Sequence, residues 1–174
     1  RYMLEIPDIN PICLVGIDPG TRFLGYCRML IHPHTYTVLS IESETIQAMQ
    51  SSYYNRQLSL VHGDTVARIQ CYKSELLQRF LIDRPTLIAS ESPFFHKLHP
   101  SSYAPLVEVV CAIRESVWNY DINLPLEMVA PMVVKRAIYA KSNATKEEMT
   151  LALLNYAPYR SILPRQYITE LDEH

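Results

Sequence analysis

The sequence predicts a layered α/β domain, and the arrangement of its apolar segments supports this prediction. Two short runs rich in Val, Ile and Leu, at residues 12–18 and 86–91, are typical of buried strands, and each ends on an acid. Residues 23–30 and 36–42 alternate apolar and polar side chains over short lengths, which favours two further strands. Strands followed by alternating helices and strands indicate one layered α/β domain, here covering residues 1–174.

A long helical segment separates the third and fourth expected strands. Apolar residues fall near helical spacing from about residue 54 to residue 82, with an interruption expected near Gly63. The same spacing predicts a helix over residues 103–120. The apolar face of that helix either packs in the core or meets a second copy of the chain, and the sequence does not separate these alternatives.

The last part of the chain is expected to hold a short strand and two helices. Residues 126–130 favour the strand, and Pro131 stands at the start of the next helix, where proline is tolerated because the N–H it lacks would have no helical partner. Asn143 is the expected N-cap of a final helix that leads into residues 149–156.

The composition is that of an ordinary soluble protein. The chain has 174 residues, of which 48% are hydrophobic and 20% charged, and no apolar stretch approaches the roughly 20 residues that cross a bilayer. Its four cysteines are widely spaced and form no Cys-x-x-Cys pair, which favours thiols in a reducing compartment over a zinc site. We also recognise no secretory leader, so the cytoplasm is the expected location.

The charge distribution favours a local surface for nucleic acid. The net charge of −2 excludes a chain that is coated in positive charge. However, no acid occurs between Met128 and Lys146, and this segment includes Lys135, Arg136 and Lys141. A nucleic-acid partner would therefore bind this basic patch.

Two acids end the two expected buried strands. Asp18 ends the run at residues 12–18 and is followed by Pro, Gly and Thr, and Glu91 ends the run at residues 86–91. Neighbouring strands of one sheet would bring both carboxylates to the edge where ligands of open α/β sheets bind. Like charges repel unless a cation lies between them, and hard oxygen ligands suit Mg²⁺ or Mn²⁺. The alternative is that Asp18 caps a turn and Glu91 is an unrelated surface residue.

Three motifs occur in a recognisable order along the chain: residues 14–26, then Glu91-Ser92-Pro93-Phe94-Phe95-His96-Lys97, then Val134-Lys135 followed eleven residues later by Lys146. Their order and spacing resemble those of the RuvC-type Holliday junction resolvases, a branch of the ribonuclease H-like superfamily. The resemblance runs from Leu14 to His174. It implies a ribonuclease H-like three-layer fold, with a mixed central sheet of about five strands flanked by helices.

The resemblance also implies roles for these motifs. Asp18 and Glu91 become catalytic residues and metal ligands. Phe94, three residues after Glu91, corresponds to an aromatic side chain that wedges into the junction, and core packing is its alternative role. Other DNA contacts are expected from basic side chains that bind phosphates, and a solvated face is their alternative. These are Lys97, Lys135 and Lys146. Arg22 is a further candidate for a phosphate contact, and its alternative is an ion pair with an acid on its own surface.

The family's last motif is an acid or a histidine, two residues and then an aspartate, at the start of the final helix. His174 fits the first position as a catalytic residue and metal ligand, and the aspartate is expected at position 177, so we expect the natural chain to continue. Histidine is not a hard ligand, so His174 would suit Mn²⁺ better or would orient a water, unless it is simply an exposed residue. Asp172 is the reserve candidate for a metal ligand, with a helix N-cap as its other role.

The function implied by the resemblance is a homodimeric, metal-dependent endonuclease that resolves four-way junctions and other branched DNA by paired nicks. Two Mg²⁺ or Mn²⁺ ions per active site and no nucleotide cofactor are expected. A YqgF-like nuclease that processes RNA or DNA and a catalytically inactive DNA-binding scaffold are alternatives. Actin-like and sugar-kinase ATPases have a similar opening motif but need two such domains. A divergent chain with only four glycines would suit a phage or another virus, and the expected compartment would then be the host cytoplasm.

Overall fold

A five-stranded sheet organises the structure, a computed structural model of the chain. The residues that it describes are 10–48, 53–93, 101, 103–141 and 143–155. The elements, in chain order, are β1 (Ile12–Asp18), β2 (Phe23–Ile31), β3 (Val38–Gln47), α1 (Tyr53–His62), α2 (Asp64–Asp83), β4 (Leu87–Glu91), α3 (Tyr103–Tyr120), β5 (Leu126–Val129), α4 (Pro131–Ala137) and α5 (Lys146–Asn155).

The sheet is mixed, with the strand order β3-β2-β1-β4-β5. Strands β1, β2 and β3 form antiparallel pairs, because short turns connect them. Strand β4 lies parallel to β1 on one side and to β5 on the other, since helical segments return the chain to the same end of the sheet. This arrangement confirms the predicted α/β class and the mixed sheet of about five strands.

The core lies on one face of the sheet, under helices α2 and α3. Along β1, Cys13, Val15 and Ile17 are buried, while the residues between them are partly exposed, as the two-residue period of a strand requires. These side chains belong to one cluster with buried residues of β2, β3, β4 and both helices. From the helices it includes Tyr72, Leu76, Phe80, Val109, Ile113 and Val117. The apolar face of α3 is therefore a core face.

Strand β3 begins later and ends later than the alternating pattern predicted. Residues 32–37 form a turn, in which the Tyr36 N–H donates to the His32 carbonyl oxygen at 2.9 Å and the His32 N–H donates to the Thr37 carbonyl oxygen at 2.9 Å. Tyr36 has φ 55°, a left-handed conformation that a strand cannot contain. The prediction that the strand begins at Tyr36 was wrong for this reason.

The interruption expected at Gly63 is confirmed, because this glycine has φ 88° and separates α1 from α2. The expected cap of the last helix was wrong. Helix α5 begins at Lys146, and Thr145 accepts a hydrogen bond from the Glu148 N–H at 3.3 Å, while the Thr145 N–H donates to Glu148 Oε2 at 2.7 Å. This reciprocal pair is a capping box, so Thr145 is the N-cap and Asn143 lies two residues before it.

The structure also bears on the cysteines and on the expected absence of a membrane-spanning segment. Cys13, Cys27 and Cys111 are free thiols, and burial raises the pKa of the Cys13 and Cys27 thiols. Among the described helices, none combines the length and the apolarity needed to cross a membrane.

Candidate metal and DNA-binding site

Asp18 and Glu91 lie side by side at one edge of the sheet. Strands β1 and β4 run parallel, and their last paired positions are Ile17 and Ser90. Asp18 and Glu91 are the next residues of the two strands, and each is the last residue of its strand. The carboxyl ends of neighbouring parallel strands therefore carry both acids, as the sequence predicted.

Asp18 is close enough to Glu91 to raise the pKa of the Glu91 carboxyl group. Burial raises the pKa of Glu91 most, and the negative charge of Asp18 and a hydrogen bond to Asp18 raise this pKa further. The positive charge of Lys135 acts in the opposite direction and lowers the pKa of Glu91. In the absence of another cation, protonation of Glu91 relieves the repulsion between the two acids. A divalent cation would relieve it as well, so the pair has the chemistry of a metal site.

Two glycines make this arrangement possible. Gly25 of β2 pairs with Asp18, and a Cβ added at Gly25 would lie 3.1 Å from the Asp18 Cβ, closer than nearly all real contacts of this kind. A Cβ added at Gly20 would lie 2.0 Å from the Phe23 carbonyl oxygen, which no side chain could tolerate without a backbone shift. The turn after β1 and the close approach of β2 to Asp18 thus both depend on glycine.

The carboxylates form part of the wall of a cleft of about 760 Å³. Its lining includes three of the basic residues that the sequence singled out: Arg22, Lys135 and Lys146. A second cleft, of about 430 Å³, also has Asp18 and Glu91 in its lining, together with small residues of the sheet such as Gly16, Cys27 and Ala89. The two acids therefore lie where the clefts adjoin.

The basic residues reach this cleft from different elements. Arg22 is exposed in the turn between β1 and β2, and Lys146 is exposed at the first position of α5. Lys135 in α4 is half-buried, and its Nζ donates to the Ala144 carbonyl oxygen at 3.0 Å. This hydrogen bond ties α4 to the segment just before α5. Lys135 thus both fixes that segment and places a positive charge near Glu91.

Several of the sequence-predicted site residues are not in the part of the chain that the structure describes. They are Phe94, Lys97, Asp172 and His174. Their roles stay predictions. Within the described ranges, no group of three or more His, Cys, Asp or Glu residues could hold a metal ion. Asp18 and Glu91 are accordingly a pair, to which any further ligand must be added from elsewhere.

Phe23 is a residue of the cleft that sequence reasoning missed. It is the first residue of β2, lines the same cleft as Asp18 and Glu91, and is 56% exposed. The available signal was the alternation of β2, in which Phe23 falls on the same side as Gly25, the glycine opposite Asp18.

Comparisons with known proteins show which proteins this chain resembles in sequence and in fold. No protein-family model matches the chain. The crossover junction endodeoxyribonuclease RuvC of Porphyromonas gingivalis is 26% identical over 159 residues, which cover 90% of this chain and 76% of the relative. The structure of Thermus thermophilus RuvC matches with a TM-score of 0.61 at 19% identity, over 88% of this chain and 82% of that one. T. thermophilus RuvC in complex with a Holliday junction substrate matches with a TM-score of 0.60 at 20% identity, over 83% of this chain and 79% of that one. The chain is therefore similar in sequence to RuvC proteins, and it shares the α/β, ribonuclease H-like fold of the solved RuvC structures.

Proposed function

We propose that this chain is a metal-dependent, structure-specific endodeoxyribonuclease that resolves four-way DNA junctions by paired nicks. The observation that carries the proposal is the contact between Asp18 and Glu91 at adjoining strand ends, in a cleft that is also lined by Arg22, Lys135 and Lys146. Its relatives support the choice of substrate, since one is named a crossover junction endodeoxyribonuclease and another is seen with a Holliday junction. Other branched DNA and a site of action in the cytoplasm belong to the same proposal.

The donor set fits a hard divalent cation, and we propose Mg²⁺ or Mn²⁺, with two ions per active site. Asp18 and Glu91 offer only carboxylate oxygens, the ligands that these cations prefer. When bound, the ions would supply positive charge that neutralises the carboxylates and stabilises the charge that develops on the phosphate during cleavage. His174, with Asp172 in reserve, is the proposed source of the next ligand.

The residues of the chain itself have separate tasks in this proposal. Asp18 and Glu91 hold the metal, and Lys135 keeps a positive charge beside Glu91 while anchoring the segment that leads into α5. Arg22 and Lys146 bind phosphate groups of the DNA backbone, an interaction that salt weakens. Lys97 would add a further phosphate contact, and Phe94 would wedge into the junction.

Paired nicks require two active sites, and we propose that a homodimer supplies them. A four-way junction is approximately two-fold symmetric, and a two-fold dimer presents one site to each of two opposing strands. The buried face of α3 serves the core, so a dimer that uses this helix would have to use its exposed side, where Trp118 is 59% exposed. Sedimentation of the protein alone and with a junction measures this directly.

The test of the proposed function is cleavage of a synthetic immobile four-way junction in Mg²⁺ or Mn²⁺, with the nicks located on each strand. The wild-type protein should produce symmetric nicks. Asp18→Asn and Glu91→Gln should each lower the cleavage rate by at least roughly 100-fold, the order of effect expected when a charge-stabilising group is lost. Both variants should still bind the junction in EDTA. Glu127→Gln removes an exposed carboxylate from β5 and is the matched control, with an unchanged rate.

The outcomes separate the proposal from its alternatives. A fully active Asp18→Asn protein would refute the assignment of the site. A wild-type protein that binds junctions but cuts none with either ion would indicate an inactive DNA-binding scaffold. Cleavage of RNA in preference to junction DNA would indicate a YqgF-like activity.

A further inference from the structure

Phe23 is the one large apolar side chain of the described cleft that is more than half exposed. It is 56% exposed, although the following residue, Leu24, is completely buried. A phenyl ring left in water at the edge of a sheet has no stabilising role in the described core. It lines the same cleft as the proposed catalytic acids, where it is accessible to a bound substrate, and the inference that follows rests on the proposed nuclease activity.

The strand geometry places Phe23 beyond Asp18 on the same face of the sheet. Gly25 pairs with Asp18 across β1 and β2, and Phe23 precedes Gly25 by two residues. Side chains two residues apart on a strand share a face and lie about 7 Å apart. The burial of Leu24 on the opposite face shows that this alternation holds here. Phe23 is therefore the diagonal neighbour of Asp18 across β1 and β2, while Glu91 lies one strand further away on the same face.

The backbone of Phe23 is held firmly. The residue pairs with Gln47 of β3, and its carbonyl oxygen lies so close to Gly20 that a Cβ there would be 2.0 Å away. A ring on a fixed backbone loses little freedom when a ligand covers it. Phe23 thus offers a preorganised flat surface.

The surroundings of the ring identify its ligand. Arg22 precedes it, and Lys135 and Lys146 line the same cleft, so the cations would hold a nucleic-acid backbone over the ring. The nucleobase is the part of a DNA nucleotide that offers a flat apolar surface. Bases stack on exposed aromatic rings with little dependence on sequence. We propose that Phe23 stacks on the base of the nucleotide that adjoins the scissile phosphate and thereby positions that phosphate at Asp18 and Glu91.

The experiment is a double-mutant cycle between Phe23 and that base. Once the nicks of the wild-type protein are located, two further junctions are made, with an abasic residue on the 5′ or the 3′ side of the cut. Binding in EDTA and single-turnover cleavage with the metal are measured for the wild type, Phe23→Leu and Phe23→Tyr. On the intact junction, Phe23→Leu should lower affinity or rate by about five- to tenfold, whereas Phe23→Tyr should retain the wild-type values.

The abasic junctions distinguish stacking from a merely structural role. On one of them the wild type and Phe23→Leu should become equal, because the group that the ring contacts is gone. Tyr36→Leu is the control, since Tyr36 is 74% exposed in the turn at the opposite end of β2, about 30 Å away, and it should leave all values unchanged. Phe23→Leu should unfold at the wild-type temperature, because the ring is exposed.

Two results would overturn the inference. Wild-type affinity and rate for Phe23→Leu on the intact junction would show that the ring makes no contact that matters for binding or cleavage. A defect that persists unchanged on both abasic junctions would show that the ring does not contact the base. In either case the wild type still cuts the intact junction, so the proposed function stands. A wild type that cuts no junction would instead refute the proposed function, and this inference with it.

Discussion

Replacing Glu91 by Gln should stabilise the metal-free protein while it abolishes cleavage. The Glu91 carboxyl is half-buried and in contact with Asp18, and burial and the charge of Asp18 both raise its pKa. A site built to hold a cation is electrostatically unfavourable when that cation is absent. An uncharged amide of the same shape removes the repulsion without leaving a cavity. The effect should therefore appear as a higher temperature of unfolding in EDTA.

The sign of its pH dependence follows from the direction of the pKa shift. A carboxyl group whose pKa is higher in the folded protein than the ordinary value of 4.5 binds more protons in the folded state. The free energy of unfolding then falls as pH rises from about 4.5 through the folded-state pKa of Glu91, and it stays reduced above that pKa. The advantage of Glu91→Gln should accordingly be largest at pH 8 and nearly absent at pH 4, where Glu91 is mostly neutral in both states.

The magnitude follows from the contact and its exposure. Two unit charges about 4 Å apart interact by roughly 1 kcal/mol in a water-like medium and by more in the protein interior. Glu91 is only half-buried and Lys135 offsets part of the repulsion, so about 1 kcal/mol is the appropriate estimate once solvent screening is included. For a domain of this size, that free energy corresponds to a rise in Tm of about 2–4 °C.

The assay is thermal unfolding followed by circular dichroism in EDTA, from pH 4 to pH 8, for the wild type, Glu91→Gln and the control Glu127→Gln. Glu127→Gln removes one negative charge from exposed β5, and its Tm should follow that of the wild type at every pH. Added Mg²⁺ or Mn²⁺ should raise the Tm of the wild type more than that of Glu91→Gln. A Glu91→Gln variant that is less stable than the wild type at pH 8, or whose advantage is the same at pH 4, would refute the reasoning.

Two other predictions use matched pairs of variants. Gly25→Ala should lower the rate of junction cleavage at least roughly tenfold, because its Cβ would press on Asp18. Gly16→Ala should cleave at nearly the wild-type rate, because among the described residues its Cβ would meet only the Cys27 Cβ, at 4.0 Å. Equal rates for the two variants in the junction assay would contradict this prediction. Thr145→Ala should lower the free energy of unfolding in urea by about 1 kcal/mol, because α5 loses its N-cap. Asn143→Ala should lower it by less. A larger loss for Asn143→Ala than for Thr145→Ala would indicate that Asn143 is the cap.

Local sequence was sufficient to predict most of the secondary structure and the two acids. The apolar runs that end at Asp18 and Glu91 define β1 and β4, because a buried strand needs apolar residues along its length and a charged residue ends it. The capping box of α5 was also present in the sequence, as Thr145 followed three residues later by Glu148. Asn143 is also a favourable residue type for an N-cap, but only the reciprocal pair of Thr145 and Glu148 identifies where the helix begins.

Only the tertiary structure brought Asp18 and Glu91 into contact and left Phe23 exposed beside them. The acids are more than seventy residues apart, and they meet because β4 lies directly beside β1 and parallel to it in the sheet. Pairing of distant strands depends on how helices α2 and α3 cover the core face of the central strands, a property that no short segment contains. The raised pKa of Glu91 and the exposure of Phe23 are consequences of this packing, because both depend on neighbours that are distant in sequence.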